Sequence, residues 1–504
     1  MSDYKFHKFG ELSLIEDISE VKYGDASEIF GKLFKNSSHN FLLESRDISH
    51  IYGRLSLMGI DPVLKIIGKD NDFRIVTLNN RAQKYIDGVM EGLKDLADEM
   101  ADTGEIAGKI ICRKGETYEE SERTKQKNIT QVIRLLLKKY KSEQKGFLGL
   151  YGAFAYDLVR LFEDIPENLP AIDVPDFTLC LYDTFIFVDH LKEKSELVLF
   201  RNLDEGVEDY RKKIHQEIDG DGGKTVFEDD GFEILNAKFD LEKDGYENQV
   251  RIARDLARRG ELFEVVLSNE LNADFKGDSF ALYLKYRDIN PSPYLFYFDF
   301  EDEQLVGASP EMMVRCEHGE VHLRPISGTA PRGKDPVEDH EHMLELLNSP
   351  KERAELDMLI DLGRNDLSRI CEPGIEVSDY RFVEKYSRVM HTVAHLTGKL
   401  RSEFTAFDSL VACINAGTLT GAPKVAAMTE IEKNEKTRRG YYGGTVGYLT
   451  FAGDMDTGII IRTAHIKNGR LNFRVGATLL YDSQPDKEYD ETINKAKAFM
   501  NTFC

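Results

Sequence analysis

Apolar residues recur at three- and four-residue steps over some stretches of this chain and alternate with polar ones over others. Ile86, Met90, Leu93, Leu96 and Met100 fall on one face of a helix drawn through residues 85–101. Similar spacing predicts helices over 130–137, 248–259 and, as one long element, 340–362. Alternating or continuous apolar runs predict strands at Phe41-Leu42-Leu43-Glu44-Ser45, 146–155, 178–188, 197–201, 262–271 and the aromatic run 294–300. Residues 304–314 read as strand, bend, strand, with Gly307-Ala308-Ser309-Pro310-Glu311 inside them. Pro325-Ile326-Ser327-Gly328-Thr329 reads as a strand end or turn, and 417–424 as a loop ending in Pro423 at a helix start. Helices among antiparallel-looking strands, without a β-α-β rhythm, predict the α+β class.

The pattern lapses between 217 and 231, where Asp219-Gly220-Asp221-Gly222-Gly223 and Glu228-Asp229-Asp230-Gly231 leave few core positions. Such a connector predicts an N-terminal domain over 1–225 and a C-terminal domain over 240–504. The chain has 504 residues and a net charge of −23, so no global positive field draws it to nucleic acid or an anionic membrane. Its six cysteines are scattered without a CxxC pair and predict reduced thiols rather than disulfides. The N-terminus lacks a long apolar signal segment, and no apolar run approaches the ~20 residues that span a bilayer. A cytoplasmic protein is expected.

Glycines crowd 417–444, with Lys424, Tyr442 and Arg462 as nearby cationic and hydroxyl donors, a set suited to a small ligand bearing carboxylates. The loop is not a phosphate loop: three residues separate Gly417 from Gly421, and Val425 stands where a Ser or Thr would meet magnesium. Glu352 and Glu355 share a helix face, as do Glu488 and Glu491. Two such pairs converging would hold a hard cation, although solvated faces are the plainer reading in so acidic a chain. His391 reads either as a general acid or base or as a satisfied core histidine.

Taken in order, these segments resemble the chorismate-utilising enzymes, most of all their anthranilate synthase component I branch. The resemblance rests on Pro325-Ile326-Ser327-Gly328-Thr329, Asp361-Leu362-Gly363-Arg364-Asn365-Asp366-Leu367, Val389-Met390-His391, and the segments 417–424, 438–444, 456–462 and 482–497. Leu42-Leu43-Glu44-Ser45, Gly152-Ala153-Phe154-Ala155-Tyr156-Asp157 and Asn290-Pro291-Ser292-Pro293-Tyr294 point to the anthranilate branch. It implies large antiparallel sheets packed as a sandwich with helices outside. It also implies a magnesium-dependent reaction: ammonia adds at C2 of chorismate as the C4 hydroxyl leaves, and pyruvate is then eliminated to give anthranilate.

Carried over residue by residue, Glu355 and Glu491 are the direct metal ligands, and Glu352 and Glu488 act through water. Glu311 protonates the leaving hydroxyl, and His391 supports pyruvate elimination. Tyr442 and Arg462 hold the enolpyruvyl carboxylate, while Gly328, Thr329, Thr418, Gly476, Ala477, Thr478 and Lys495 line the substrate. Glu44, Ser45, Pro293, Tyr294 and Leu295 form a feedback site for tryptophan. No glutamine amidotransferase segment is recognisable, so ammonia is expected from a separate subunit in a heterodimer or heterotetramer.

Some positions depart from the pattern. Ser327 stands where C4-aminating relatives carry a nucleophilic lysine, which favours C2 chemistry. Glu264 replaces the glutamine usual in anthranilate synthases and the lysine that activates water in isochorismate-forming ones. Asn269, Glu270 and Thr478 also differ. These departures keep two alternatives open: a 2-amino-2-deoxyisochorismate synthase without the lyase step, and a catalytically silent tryptophan-sensing subunit.

Overall fold

The computed structural model describes residues 5–34, 38–46, 55–102, 105–112, 122–220, 231–386 and 389–503. The period-two stretches become two antiparallel sheets of 13 strands each. The first sheet runs through Lys5–Phe9, Leu12–Val21, Lys194–Arg201, Thr184–Asp189, Leu55–Gly59 and Phe41–Glu44. It continues through Tyr294–Asp299, Glu303–Ser309, Thr463–Lys467, Arg470–Leu479, Glu264–Gly277 and Phe232–Phe239. The second places Gly149–Phe154 between Phe177–Tyr182 and Thr445–Thr450. Each sheet therefore draws strands from both sides of the acidic connector. The seams are Phe41–Glu44 against Tyr294–Asp299, and Gly149–Phe154 against Thr445–Thr450.

The sheets face one another across an aromatic core. Phe41 of the first stacks on Tyr151 of the second at 4.7 Å, and Phe185 approaches the same ring at 5.4 Å. Offset and edge-on contacts of this kind add to the burial of each ring. Helices cover the outer faces. Phe30, Ile214, Phe280 and Phe499 pack on the first sheet, and Tyr246, Val250 and Ala253 of helix Lys243–Arg258 pack over Leu267 and Ala477.

Three sequence expectations need correcting. The single helix expected over 340–362 is two, Pro336–Asn348 and Pro350–Ser368. Pro350 has no N–H and its ring obstructs a preceding turn, while the Ser349 hydroxyl caps the second helix at the Glu352 amide. The helix expected to reach 101 stops at Leu96, and Glu99–Asp102 instead pairs with Ile106–Lys109. Residues 417–420 form one helical turn before the two-residue strand Gly421–Ala422.

Candidate active site

A cavity of about 210 Å³ lies between strands Glu264–Gly277, Ile326–Pro331, Val389–Lys399 and Arg470–Leu479 and helices Pro350–Ser368 and Pro485–Met500. Its walls follow from local geometry. The pairing of Ile326–Pro331 with Val389–Lys399 slips at Gly328, which adopts a φ of +59°. A Cβ there would stand 2.5 Å from the Glu352 carboxylate, so glycine is required. Gly476 is similar: a Cβ would meet the Tyr442 hydroxyl at 2.7 Å. Strand alternation brings Gly476 and Thr478 onto the cavity, whereas Ala477 packs into the core with Tyr246 and Leu267.

Glu311 follows the Ser309-Pro310 bend and is buried. Thr418 donates to its Oε1 at 3.0 Å. Burial outweighs that bond and the Arg462 charge, pushing the Glu311 carboxyl up to about 8. It is therefore a protonated acid at neutral pH. His391 is buried and held neutral, down to about 4, by desolvation and then by the Arg462 charge. Its Nδ1 lies 3.2 Å from the Gly328 carbonyl and 3.0 Å from Thr329 Oγ1. The carbonyl contact assigns the proton to Nδ1 and leaves Nε2 basic.

Arg462 has φ +49° and its carbonyl accepts from the Ala308 amide at 3.1 Å, which fixes its backbone. Its guanidinium has no ion-pair or hydrogen-bond partner among the described residues, and burial lowers its pKa. The Tyr442 hydroxyl is likewise without a partner among the described residues, and burial raises it to about 12. A guanidinium and a phenol lining one cavity, neither spent on a described residue, suit a carboxylate.

The other side of the cavity is acidic. Glu264 is 1% exposed and its Oε2 has no partner among the described residues. Burial and then the Glu355 charge push it up to about 8. Glu355 is raised by burial and next by Glu352, and Glu488 by burial with Glu491 adding to it. Lys495 bonds Glu491 at 2.7 Å and the Gly476 carbonyl at 2.8 Å. Glu355 and Glu491 line the cavity, and Glu352 and Glu488 do not. Among the described residues no three carboxylate, histidine or cysteine groups form a closed metal cage. Magnesium keeps several waters and takes one or two protein carboxylates, so this crowd of mutually repelling carboxylates fits it.

Some singled-out residues lie elsewhere. Lys424 faces a different cleft, paired to Asp366 at 2.7 Å. Asn269 bonds the Leu241 amide and carbonyl, and Glu270 lies 3.3 Å from Arg474 in another cleft, so neither departure reaches the cavity. Ser327, by contrast, lines the cavity, buried, and its hydroxyl partly offsets the upward push on Glu355. Sequence reading passed over Glu435 and Arg439, which form a buried pair beneath the cavity wall.

A second cavity, about 330 Å³, opens where the two seams meet. Glu44, Ser45, Pro293, Tyr294 and Leu295 all line it, with Phe147, Phe187 and Tyr448. Glu44 is already committed, to Tyr283 at 2.6 Å and Arg287 at 3.0 Å, and burial raises it to about 7. Ser45 Oγ is buried without a partner among the described residues.

Residues 95–501 match the model of the chorismate binding enzymes. Over 491 residues the chain is 34% identical to anthranilate synthase component 1 of Acetivibrio thermocellus, covering 93% of this chain and 91% of that one. It is 40% identical over 366 residues to the same component of Pseudomonas aeruginosa, covering 70% and 74%. The crystal structure of anthranilate synthase component I from Streptococcus pneumoniae superposes with a TM-score of 0.70 at 32% identity, covering 90% and 93%. The menaquinone-specific isochorismate synthase of Escherichia coli shares the fold at 15% identity, with a TM-score of 0.66 and coverage of 100% and 97%.

Proposed function

The chain belongs to the chorismate binding enzymes, in their anthranilate synthase component 1 branch, and from that premise we propose that this cavity turns chorismate into anthranilate and pyruvate. One juxtaposition carries the reading. The unpartnered Arg462 guanidinium shares a cavity with a protonated carboxyl, Glu311, a neutral imidazole, His391, and a group of carboxylates suited to a cation. Chorismate bears two carboxylates. Arg462 and Tyr442 suit the enolpyruvyl one. Glu355 and Glu491, backed by Glu352 and Glu488, would hold a magnesium ion, which when bound positions the ring carboxylate and offsets its charge.

In the first step Glu311 gives its proton to the departing C4 hydroxyl as ammonia attacks C2, and water leaves. Glu264, with its free Oε2, accepts an N–H from the incoming nitrogen. In the second step the C2 hydrogen leaves as a proton, with His391 Nε2 as the basic nitrogen at hand. The C3–O bond breaks, its electron pair leaves with the enolate of pyruvate, which takes up a proton at its methylene carbon, and the ring becomes aromatic. Thr329 and Gly328 hold the imidazole in that orientation. The ammonia comes from a separate glutamine amidotransferase subunit, in a heterodimer or heterotetramer.

The test is a product assay with the purified chain, chorismate, magnesium and excess ammonium. Anthranilate and pyruvate in equal amounts, lost on chelation and restored by magnesium, are expected. Accumulated 2-amino-2-deoxyisochorismate would assign amination without the lyase step, for which Thr478 on the cavity wall is the structural motive. Untouched chorismate would point to a silent subunit. In the same assay Glu264→Gln keeps shape and hydrogen bonding while removing ionisation. Its ammonium dependence should lose any component titrating near pH 8. An unchanged ammonium–pH profile would remove Glu264 from the nitrogen's path.

We further propose that the seam cavity takes tryptophan. Pro293 and Leu295 offer apolar contact to an indole, and Ser45 Oγ is the polar group left free to meet the amino group. Ser45→Leu removes that oxygen and fills space, and is expected to weaken inhibition by tryptophan at least about 10-fold, since a lost hydrogen bond plus a clash is worth ~1.5 kcal/mol or more. The chain contains no tryptophan, so the change in the ligand's indole emission on binding reads occupancy without overlap from the protein. Equal affinity in the variant would take the ligand out of this cavity.

A further inference from the structure

Arg439 lies in the Arg-Arg-Gly-Tyr-Tyr-Gly-Gly segment of 438–444 and is 4% exposed. Its Nη1 donates to the Leu419 carbonyl at 2.6 Å. Its Nη2 donates to the Val266 carbonyl at 2.7 Å and to Glu435 Oε1 at 2.6 Å. Nε donates to Glu435 Oε2 at 3.1 Å. The guanidinium carbon stands 5.4 Å from the centre of the Tyr442 ring and 4.9 Å from that of Tyr156. Leu419, Val266 and Tyr442 belong to three separate stretches of chain, and all three line the reaction cavity.

The counter-ion extends the arrangement. Glu435 is buried, and its Oε1 accepts from the Ser268 amide at 2.9 Å and hydroxyl at 2.7 Å. Its Oε2 accepts from Arg474, another residue of the cavity wall, at 3.1 Å. The arginines hold the Glu435 carboxyl below its ordinary range despite complete burial, so the pair is charged. Such a pair rarely adds net stability over apolar packing, because desolvation consumes the Coulombic gain. What it supplies is direction: a planar fork holds carbonyls from two segments at fixed angles, which the rotating ammonium of a lysine does not impose.

We propose that Arg439 is a positioning residue for the reaction, clamping the Leu419 turn, the Val266 strand and the Tyr442 ring into one rigid wall. The consequence for chemistry runs through neighbours. Leu419 adjoins Thr418, whose hydroxyl bonds the Glu311 carboxyl, and Tyr442 flanks the enolpyruvyl carboxylate in the reading above, on which this proposal rests. Loosening the clamp misplaces the acid and the carboxylate receptor together.

Arg439→Lys keeps the charge beside Glu435 but not the fork. In the folded variant, hydrogen exchange of peptides spanning 415–422 and 264–268 should rise at least about 10-fold, with the seam strands unchanged. The kcat for chorismate should fall roughly 10- to 100-fold, the scale of a 1 Å misplacement. Combined with Thr418→Val the losses should be less than additive, because both act on Glu311. If exchange in both peptides and kcat per folded molecule match the parent, the clamp is structural only and the proposal is overturned. Should Arg439→Lys fail to fold, Glu435→Gln, which keeps the arginine and weakens its anchor, must show the same local exchange or the proposal fails. A parent chain inactive on chorismate would refute the functional reading, while the exchange result would still decide the clamp.

Discussion

Glu311→Gln should abolish most chorismate turnover while leaving the fold intact, with kcat down roughly 10²- to 10⁴-fold, the range of general-acid catalysis. Glutamine matches the carboxyl in shape and can still accept from Thr418, so substrate affinity should change little. It has no proton to give. The pH dependence sharpens the test. Glu311 titrates near 8 because burial disfavours its anion, so the competent protonated form prevails below that pH and is lost above it. The parent's kcat should therefore decline as pH rises through about 8, and the residual rate of the variant should lack that limb. A variant that keeps the alkaline decline would place the titrating acid elsewhere.

Arg462→Gln is expected to move affinity and stability in opposite directions. The guanidinium is half-buried and unpaired among the described residues, an arrangement that costs some folding energy and is compensated when a carboxylate arrives. Losing one partner of a buried charge pair costs about 3 kcal/mol, so KM for chorismate should rise on the order of 100-fold. The same change removes a half-buried charge that lacks a partner among the described residues, and the ligand-free variant should melt slightly higher than the parent. Calorimetry of the apo-protein and initial rates check both halves. A lower melting temperature together with an unchanged KM would show that Arg462 holds structure rather than substrate.

Much of this was legible in the residues, and the failures share a cause. Spacing found helix Lys243–Arg258 because one face of it is buried, and continuous apolar runs found strands Glu264–Gly277 and Tyr294–Asp299 because consecutive residues there are buried on both faces. It ran two helices together at Ser349-Pro350, since apolar periodicity carries no mark of a cap and a proline at the first helical position is compatible with helix on its far side. Motif order brought Glu311, His391, Arg462, Glu355 and Glu491 to one cavity, but direction within a motif was not readable. Lys424 points away into an ion pair with Asp366, and the Glu44 carboxylate is taken by Tyr283 and Arg287. Which way a side chain leaves a turn depends on partners tens or hundreds of residues distant. The Arg439–Glu435 pair was invisible for that reason: its meaning lies in the carbonyls of Leu419 and Val266, which no side-chain pattern records.

The two seams bear on how the chain is made. Strand Gly149–Phe154 must wait for Thr445–Thr450, and Phe41–Glu44 for Tyr294–Asp299, before either sheet closes. During synthesis the leading half emerges with unpaired strand edges and half a core, a state prone to association and slow to resolve because the missing partners are so distant in sequence. Sheet closure is therefore expected only after Thr445–Thr450 has been made. A chain severed within residues 221–230 should yield fragments that are insoluble apart and reconstitute the enzyme only when produced together.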